Sequence, residues 1–466
     1  MAGMGGGQFA LWRGRAKRVK LAASPLSART SRPVNAPLSP SLSEEQARLL
    51  DYIVDTRANV FLTGRAGTGK TTLTRALLKR LGPDAAVLAP TGVAAMHAGG
   101  QTLHSFFRLP PRLIQPGDVK RLKNARAIKA LKVLVIDEIS MVRSDMMWAI
   151  DAALRMNRDV SAPFGGVQMV LVGDLAQLPP IVQGEEAGYL EMAYGGPFFF
   201  HTPAFRDAGF TLVELETVYR QSDPDFIEIL NAIREGEIRR EQGRTLNERV
   251  TGRSALEASA THVVLTPTNA AAARINSARL DALVGEPRLL PGKVEGEFEE
   301  RVRPTDDPLI LKPGARVMLI RNDPAGRWVN GSLGEVASFS AEGVRVRVNG
   351  DIHTVEPVKW ERHRYGFDAK TEALKKETLG AFEQYPLRLA WAMTIHKAQG
   401  LTLDQVFLDL PGRLFAHGQA YVALSRARSL EGLELSRGLA PSDLVVDPRI
   451  FDVRSYCDPL PPGLLS

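Results

Sequence analysis

The run Gly64-Arg65-Ala66-Gly67-Thr68-Gly69-Lys70-Thr71 carries residue types and spacing that bind phosphate. Gly64, Ala66, Gly67, Thr68 and Gly69 let backbone N–H groups converge on one point. The start of a following helix adds its positive dipole end. Lys70 would reach the β- and γ-phosphates, and the Thr71 hydroxyl would ligate Mg²⁺. Further along, the paired acids Asp137-Glu138 end an apolar run. Asp137 would hold Mg²⁺ opposite Thr71, and Glu138 would orient and deprotonate an attacking water. Gln177, within Gly173-Asp174-Leu175-Ala176-Gln177-Leu178-Pro179-Pro180, offers an amide that can sense a γ-phosphate. Together these residues make a nucleoside-triphosphate hydrolysis site, with ATP and Mg²⁺ as its cofactors.

Such a site needs buried parallel strands whose carboxyl ends meet in one crevice. Asn59–Leu62, Ala86–Ala89, Lys132–Ile136 and Val167–Val172 are short apolar runs that read as those strands. The Leu73, Ala76, Leu77 and Leu78 pattern reads as the helix after the phosphate loop. Order begins with a capping box at Ser43-Glu44-Glu45-Gln46, followed by helical spacing of Leu49, Leu50, Ile53 and Val54. Gln46 is fully explained by that cap on sequence grounds. Thr91, after the second strand, sits among small residues that suit close approach by an extended ligand. His104 and Phe106 follow in a Gly-Gly-Gln-Thr-Leu-His-Ser-Phe stretch.

Composition sets bounds. The chain has 466 residues, a single cysteine (Cys457) and a net charge of +7. One cysteine excludes a disulfide framework and a cysteine-ligated metal cluster, and fits a reducing compartment. No apolar run approaches a membrane span. Residues 1–40 hold Arg13, Arg15, Lys17, Arg18, Lys20, Arg29 and Arg32 and no acid, which accounts for the whole charge excess. That arm is expected to be disordered. It reads as a basic nucleic-acid contact, an organellar transit peptide, or upstream sequence without a role. The compartment is accordingly cytoplasmic of the bacterial, nucleoid-associated type, or organellar if the arm is a transit peptide. Residues 107–130 form the densest basic stretch outside the arm, with seven cations (Arg108 to Lys129) against Asp118.

A second α/β set is expected from Thr211 onward. It comprises a strand at Thr211–Leu215, a helix at Pro224–Gly236, a strand at Val263–Leu265, a strand at Val406–Leu410 and a helix at Ala416–Ala427. Between them, residues 309–360 change to short alternating runs with Asn330-Gly331 and Asn349-Gly350 turns, a small antiparallel β module. The second set has no phosphate loop. It does hold Arg220 and Arg426, which would reach across an interdomain cleft to a γ-phosphate. The spacing aims Arg426 outward from its helix.

The series Gly64–Thr71, Pro90–Ala95, Asp137–Met141, Gly173–Pro180, Tyr219–Gln221, Thr394–Asp404 and Tyr421–Arg428 resembles the ordered motifs of superfamily-one helicases. Within them, Asp137-Glu138-Ile139-Ser140-Met141, the Gly173–Pro180 stretch and Tyr421-Val422-Ala423-Leu424-Ser425-Arg426 are similar to the PIF family of 5′-to-3′ DNA helicases. Dda and RecD-like helicases share part of the pattern. The segment from Pro197 through Tyr219 to Gly236 resembles that family's signature segment. The resemblance covers residues 42 to 437.

It implies an α/β fold of two RecA-like P-loop NTPase motor domains with a small inserted β-barrel subdomain. The implied bounds are 41–205 and 206–466, with the insertion at 305–360 and a strand-separating wedge at 107–130. It implies that Gln46 reads adenine, that Thr72 and Gly400 join the nucleotide site, and that Arg220 and Arg426 complete it. It implies that Thr91, His104, Phe106 and His396 line a single-strand channel. The implied partners are single-stranded DNA and duplex junctions, in repair, recombination or replication-associated genome maintenance. A translocase without unwinding, or a binding module with an inactive phosphate loop, would use the same residues differently. The intact Lys70, Thr71, Asp137 and Glu138 argue against the latter.

Overall fold

The structure, a computed structural model, describes residues 42–464 apart from 220, 222, 415 and 462. The arm at 1–40 and the side chain of Arg220 therefore lie outside the described residues.

The first sheet is built from β1 (Asn59–Gly64), β2 (Ala85–Ala89), β3 (Gln101–Thr102), β4 (Val133–Ile136), β5 (Gln168–Val172) and β6 (Phe210–Leu215). Its order is β6-β1-β5-β4-β2-β3, with Cys457–Asp458 added outside β6, and every pairing is parallel. β2, β4 and β5 are buried throughout, because helices cover both faces. One face takes Val60, Leu62 and Val170 against α1 (Glu44–Thr56) and α2 (Lys70–Leu81), through Leu49, Ile53, Leu73 and Leu77. The other takes Phe61, Leu134 and Leu171 against Met147 and Ile150 of the helix Ser144–Arg158.

β6 departs from the expectation that it opens the second α/β set. It runs beside β1 along its full length, from Asn59 opposite Phe210 to Gly64 opposite Leu215. A short strand carries no mark of which sheet it will join. Here the preceding aromatic segment decides, because Phe198, Phe199, Phe200 and Phe205 are all buried in the first core. Phe205 stacks on Phe210 with centroids 4.4 Å apart. Each such ring contributes roughly 1.5–3 kcal/mol on burial, so this segment is core that delivers β6 and not a linker.

The second sheet has four parallel strands in the order Ala392–Thr394, Val263–Thr266, Val406–Leu408, Leu433–Leu435. The expected helix at 416–427 is shorter, Gln419–Leu424. The inserted β module is a five-stranded antiparallel sheet running from Asp351–Val355 through Val344–Val348, Leu333–Phe339 and Arg316–Leu319 to Leu387–Leu389. Asn349 (φ 51°) and Gly350 (φ 95°) make the tight turn that their sequence signals. Asn330-Gly331 also turns the chain, with Gly331 at φ 94° and Ser332 N–H donating to Val329 O at 3.0 Å, but it is not a two-residue hairpin loop. It lies in the long connection between Leu319 and Leu333. A long hairpin, Val358–Asp368 with Ala373–Gln384, extends the insertion well past 360. It reaches the edge of the first sheet, where Val87 N–H donates to the Tyr365 hydroxyl at 3.0 Å and Tyr365 N–H to Gln101 Oε1 at 3.0 Å.

The basic stretch at 107–130 is a loop with a 3₁₀ turn, Pro116–Asp118, and a short helix, Arg126–Ala130, pinned from below. Ile114 N–H donates to Asp145 and Leu122 N–H to Asn157, each at 2.8 Å. Arg112, Arg121 and Lys129 are paired with Asp118 or Asp159. Arg108, Lys120, Lys123 and Arg126 make no ion pair among the described residues.

His417 pins the second sheet's helix to the first domain. Its Nε2 donates to Leu175 O at 2.7 Å, while Nδ1 accepts Asp447 N–H at 2.9 Å. Only the neutral Nε2–H tautomer makes both bonds. Burial lowers its pKa, partly offset by the Leu175 carbonyl and by Asp447 and Asp174. The unfolded chain therefore takes a proton that the folded chain resists, and this contribution to stability is present above about pH 6.5 and lost below it. We expect the stability gap between the parent and His417→Gln, measured by urea titration, to narrow as pH falls from about 8 to about 5. A gap independent of pH contradicts the neutral pin.

Candidate nucleotide site

β1 ends in Gly64, where a Cβ would stand 2.6 Å from Leu215 O, so only glycine lets β6 and the phosphate loop share this corner. Gly67 (φ 87°) and Gly69 (φ 83°) then turn the backbone before α2 starts at Lys70. Thr68 Oγ1 donates to Arg65 O at 3.0 Å, closing the loop on itself. Lys70 Nζ donates to Gly64 O at 2.7 Å and Arg65 O at 2.9 Å, which holds the ammonium over the cradle. Thr71 and Thr72 lie in the first turn of α2.

Gln46 does two things. Its Oε1 accepts Ser43 N–H at 3.2 Å, completing the capping box, and its Nε2 donates to Thr68 O at 3.3 Å. A Cβ on Gly69 would come within 2.5 Å of Gln46 Nε2. The amide thus touches the phosphate loop as well as capping α1.

Asp137 and Glu138 leave β4 facing this loop. Glu138 has φ 52°, a left-handed conformation that costs a non-glycine residue about 1–2 kcal/mol. Such a cost persists where neighbours over-determine it. The Asp137 carboxylate accepts Glu138 N–H at 3.0 Å. Burial raises the Asp137 pKa, against the Glu138 N–H and the charges of Lys70 and Arg75. The Glu138 carboxyl is raised to about 7, chiefly by burial and then by Asp137, while Lys70 and Arg426 pull it down. That places a proton acceptor near neutrality, where general-base transfer is most efficient.

The donors present are a hydroxyl on Thr71 and a carboxylate on Asp137. These hard oxygen groups suit Mg²⁺, which keeps several waters and arrives with phosphates.

The far wall comes from the second domain. Tyr421, fully buried, accepts Ala66 N–H from the phosphate loop at 3.1 Å. Gln177 Nε2 donates to Asp174 Oδ2 at 3.4 Å. Arg426 is within electrostatic range of Glu138 but is not aimed outward as the sequence suggests. It is 1% exposed. Its Nε donates to Val422 O at 2.8 Å, and Nη1 faces Ala398 O and Leu401 O at 3.4 Å. Its guanidinium therefore lies against its own domain, beside the turn that carries Gly400. Tyr219, which sequence reasoning passed over in favour of Arg220, is 58% exposed. Its N–H donates to Gly67 O at 3.0 Å, and its ring lies 3.9 Å from the Cβ position of Gly69. An exposed aromatic beside Gln46 and the glycine loop offers a flat face for a base. The tripeptide Tyr-Arg-Gln contained that signal.

The residues assigned to a strand channel differ in local setting. Thr91 caps the helix Gly92–Ala98 through Ala94 N–H at 3.2 Å, and His104 lies half-buried in the helix Leu103–Phe107. His396 is exposed at the end of the second sheet. Phe106 is core in this structure. It is 8% exposed and makes edge contacts with Phe107 and with Tyr365 of the inserted hairpin. The hairpin, unread in the sequence, is what covers it.

A family model described as PIF1-like helicase matches residues 41–244. The chain is 37% identical over 437 residues to the human ATP-dependent DNA helicase PIF1, covering 88% of this chain and 63% of that one. It is 34% identical over 425 residues to the ATP-dependent DNA helicase Pif1 of Bdellovibrio bacteriovorus, covering 88% of this chain and 91% of that one. The structure of unliganded Pif1 from Bacteroides sp superposes with a TM-score of 0.82 at 36% identity, covering 89% of this chain and 97% of that chain. The crystal structure of Bacteroides Pif1 bound to ssDNA gives 0.61 at 37% identity, covering 89% and 97%. The two parallel sheets are accordingly those of two RecA-like domains. With 91% of the Bdellovibrio protein spanned at 34% identity, the chain belongs to the PIF1-like helicase family.

Proposed function

We propose that this chain is an ATP-driven motor that moves 5′ to 3′ along single-stranded DNA and unwinds duplex at junctions, in the service of genome maintenance. The observation that carries this reading is the cleft. The phosphate loop and the Asp137-Glu138 pair lie on one domain, and Tyr421, Arg426 and Tyr219 come from the chain beyond β6. A hydrolysis site with walls from two bodies makes their separation depend on what fills it.

Lys70 takes the β- and γ-phosphates, exchanging its present carbonyl partners for phosphate oxygens. Thr71 and Asp137 hold Mg²⁺, which when bound neutralises phosphate charge. Gln46 and the Tyr219 ring take the adenine. Glu138 accepts the proton of the attacking water. Arg220 and Arg426 complete the site across the cleft, and for Arg426 this requires release from Val422, Ala398 and Leu401 carbonyls. Thr91, His104 and His396 contact the strand, with the free cations Arg108, Lys120, Lys123 and Arg126 offering phosphate contacts near the fork. Phe106 becomes available to a base only where the Tyr365 hairpin leaves it.

Glu138→Gln is expected to keep ATP and strand binding and lose most turnover, since an amide cannot accept the proton. Turnover near the parent's would remove Glu138 from the role of base. Gln46→Ala and Tyr219→Ala are each expected to weaken ATP binding by roughly tenfold, about 1.4 kcal/mol, and leave pyrophosphate binding unchanged. Equal losses for both ligands would place these residues on the phosphates or in the fold alone. The decisive assay of the whole reading uses partial duplexes with a 5′ or a 3′ single-stranded tail. ATP-dependent displacement from the 5′-tailed substrate supports it, and ATP hydrolysis without displacement from either would leave a translocase.

A further inference from the structure

The signature-like segment ending at Gly236 leaves a largely buried cation without a part in the site above. Arg234 lies in the last turn of the helix Pro224–Glu235, with 11% of its side chain exposed. Its Nε donates to Asp174 Oδ1 at 3.3 Å and its Nη1 to Glu214 Oε1 at 2.8 Å. Asp174 is completely enclosed. It also accepts Ala176 N–H at 3.2 Å and Gln177 Nε2 at 3.4 Å. Among the described residues, Arg234 is the only ion-pair partner of Asp174, whereas Glu214 has a second in Arg454. The Tyr421 phenol, bonded to the phosphate loop, interacts electrostatically with both Asp174 and Arg234.

A buried ion pair is a poor way to gain stability, because desolvation offsets most of the attraction. Apolar side chains of similar volume would serve the core as well. This cluster does something apolar side chains cannot. Asp174 fixes the Gln177 amide by taking its NH₂ group, which leaves the amide oxygen free of protein partners among the described residues. A glutamine oxygen so held can accept from an attacking water. Arg234 in turn fixes Asp174, and it stands on the helix that begins just after Tyr219-Arg220-Gln221.

We propose that Arg234 is a positioning residue for ATP hydrolysis: by holding the Asp174 carboxylate it sets the Gln177 amide and passes movement of the helix Pro224–Glu235 to the γ-phosphate. This rests on the ATP-driven motor reading above and names a coupling route within it.

The test compares the parent with Arg234→Met, Arg234→Lys and the neutral pair Arg234→Met with Asp174→Asn. Steady-state ATPase is measured with and without saturating single-stranded DNA, together with thermal stability. Arg234→Met is expected to lower strand-stimulated kcat by on the order of tenfold or more, with KM for ATP within about threefold of the parent. Arg234→Lys should recover part of kcat, since one ammonium can still hold Asp174. The neutral pair should regain stability but not kcat. If Arg234→Met does not fold, the lysine variant and the neutral pair decide. Parental kcat in Arg234→Met, or in the neutral pair, would assign the cluster to packing and overturn the proposal. A parent that hydrolyses ATP without strand stimulation would overturn the motor reading instead, whatever the Arg234 variants do.

Discussion

The seam where the chain around Gly418 meets the exit of β5 is the contact on which the site depends. A Cβ at Gly418 would lie 2.3 Å from Gln177 O and 2.5 Å from Ala176 O, so the two backbones approach as closely as glycine allows. From that seam His417 reaches Leu175, and Tyr421 reaches Ala66 in the phosphate loop. These are directional contacts set among apolar neighbours of both domains, and single hydrogen bonds of this kind contribute about 1 kcal/mol net. The seam fixes which residues face the nucleotide.

Charge at the seam is arranged in two layers. The outer layer is Asp137 and Glu138 with Lys70 and Arg426 near them, and it carries a carboxyl raised to about 7. The inner layer is Asp174, Arg234 and Glu214, mutually paired, with Asp174 enclosed. An unpaired buried carboxylate would be costly, so the inner layer holds its geometry while the outer one exchanges partners. The left-handed Glu138 backbone sits at their junction, which is where stored strain is expected in a working site.

Much of this was legible in the sequence, and the reasons differ by element. Gly64 to Thr71, Asp137-Glu138 and Gln177 could be read because phosphate chemistry demands contiguous residues in one local context. Ser43 and Gln46 could be read because a capping box is local too. β6 could not, since a short strand records its burial but not its sheet, and the deciding contact of Phe205 on Phe210 is tertiary. The resemblance alone puts Phe106 in a strand channel, and Tyr365, far along the chain, packs on it in the structure. Arg426 was identified by its motif but not its direction, because it lies past the end of the short helix Gln419–Leu424, which does not say which way a long side chain turns. The hairpin after 358 was missed where charged residues alternate without a turn signal in the Asp368–Ala373 connection.

The central claim is that the second domain completes the ATP site only on closure, and Arg426 carries it. A guanidinium can hold two phosphate oxygens at once and an ammonium cannot. The most direct measurement is steady-state ATP hydrolysis by Arg426→Lys at saturating single-stranded DNA, with nucleotide binding measured alongside. The account predicts retained ATP binding and turnover lowered by on the order of a thousandfold, the lower range for a lost arginine finger. Normal turnover would mean that Arg426 only braces Val422, Ala398 and Leu401, and that closure does not make the site.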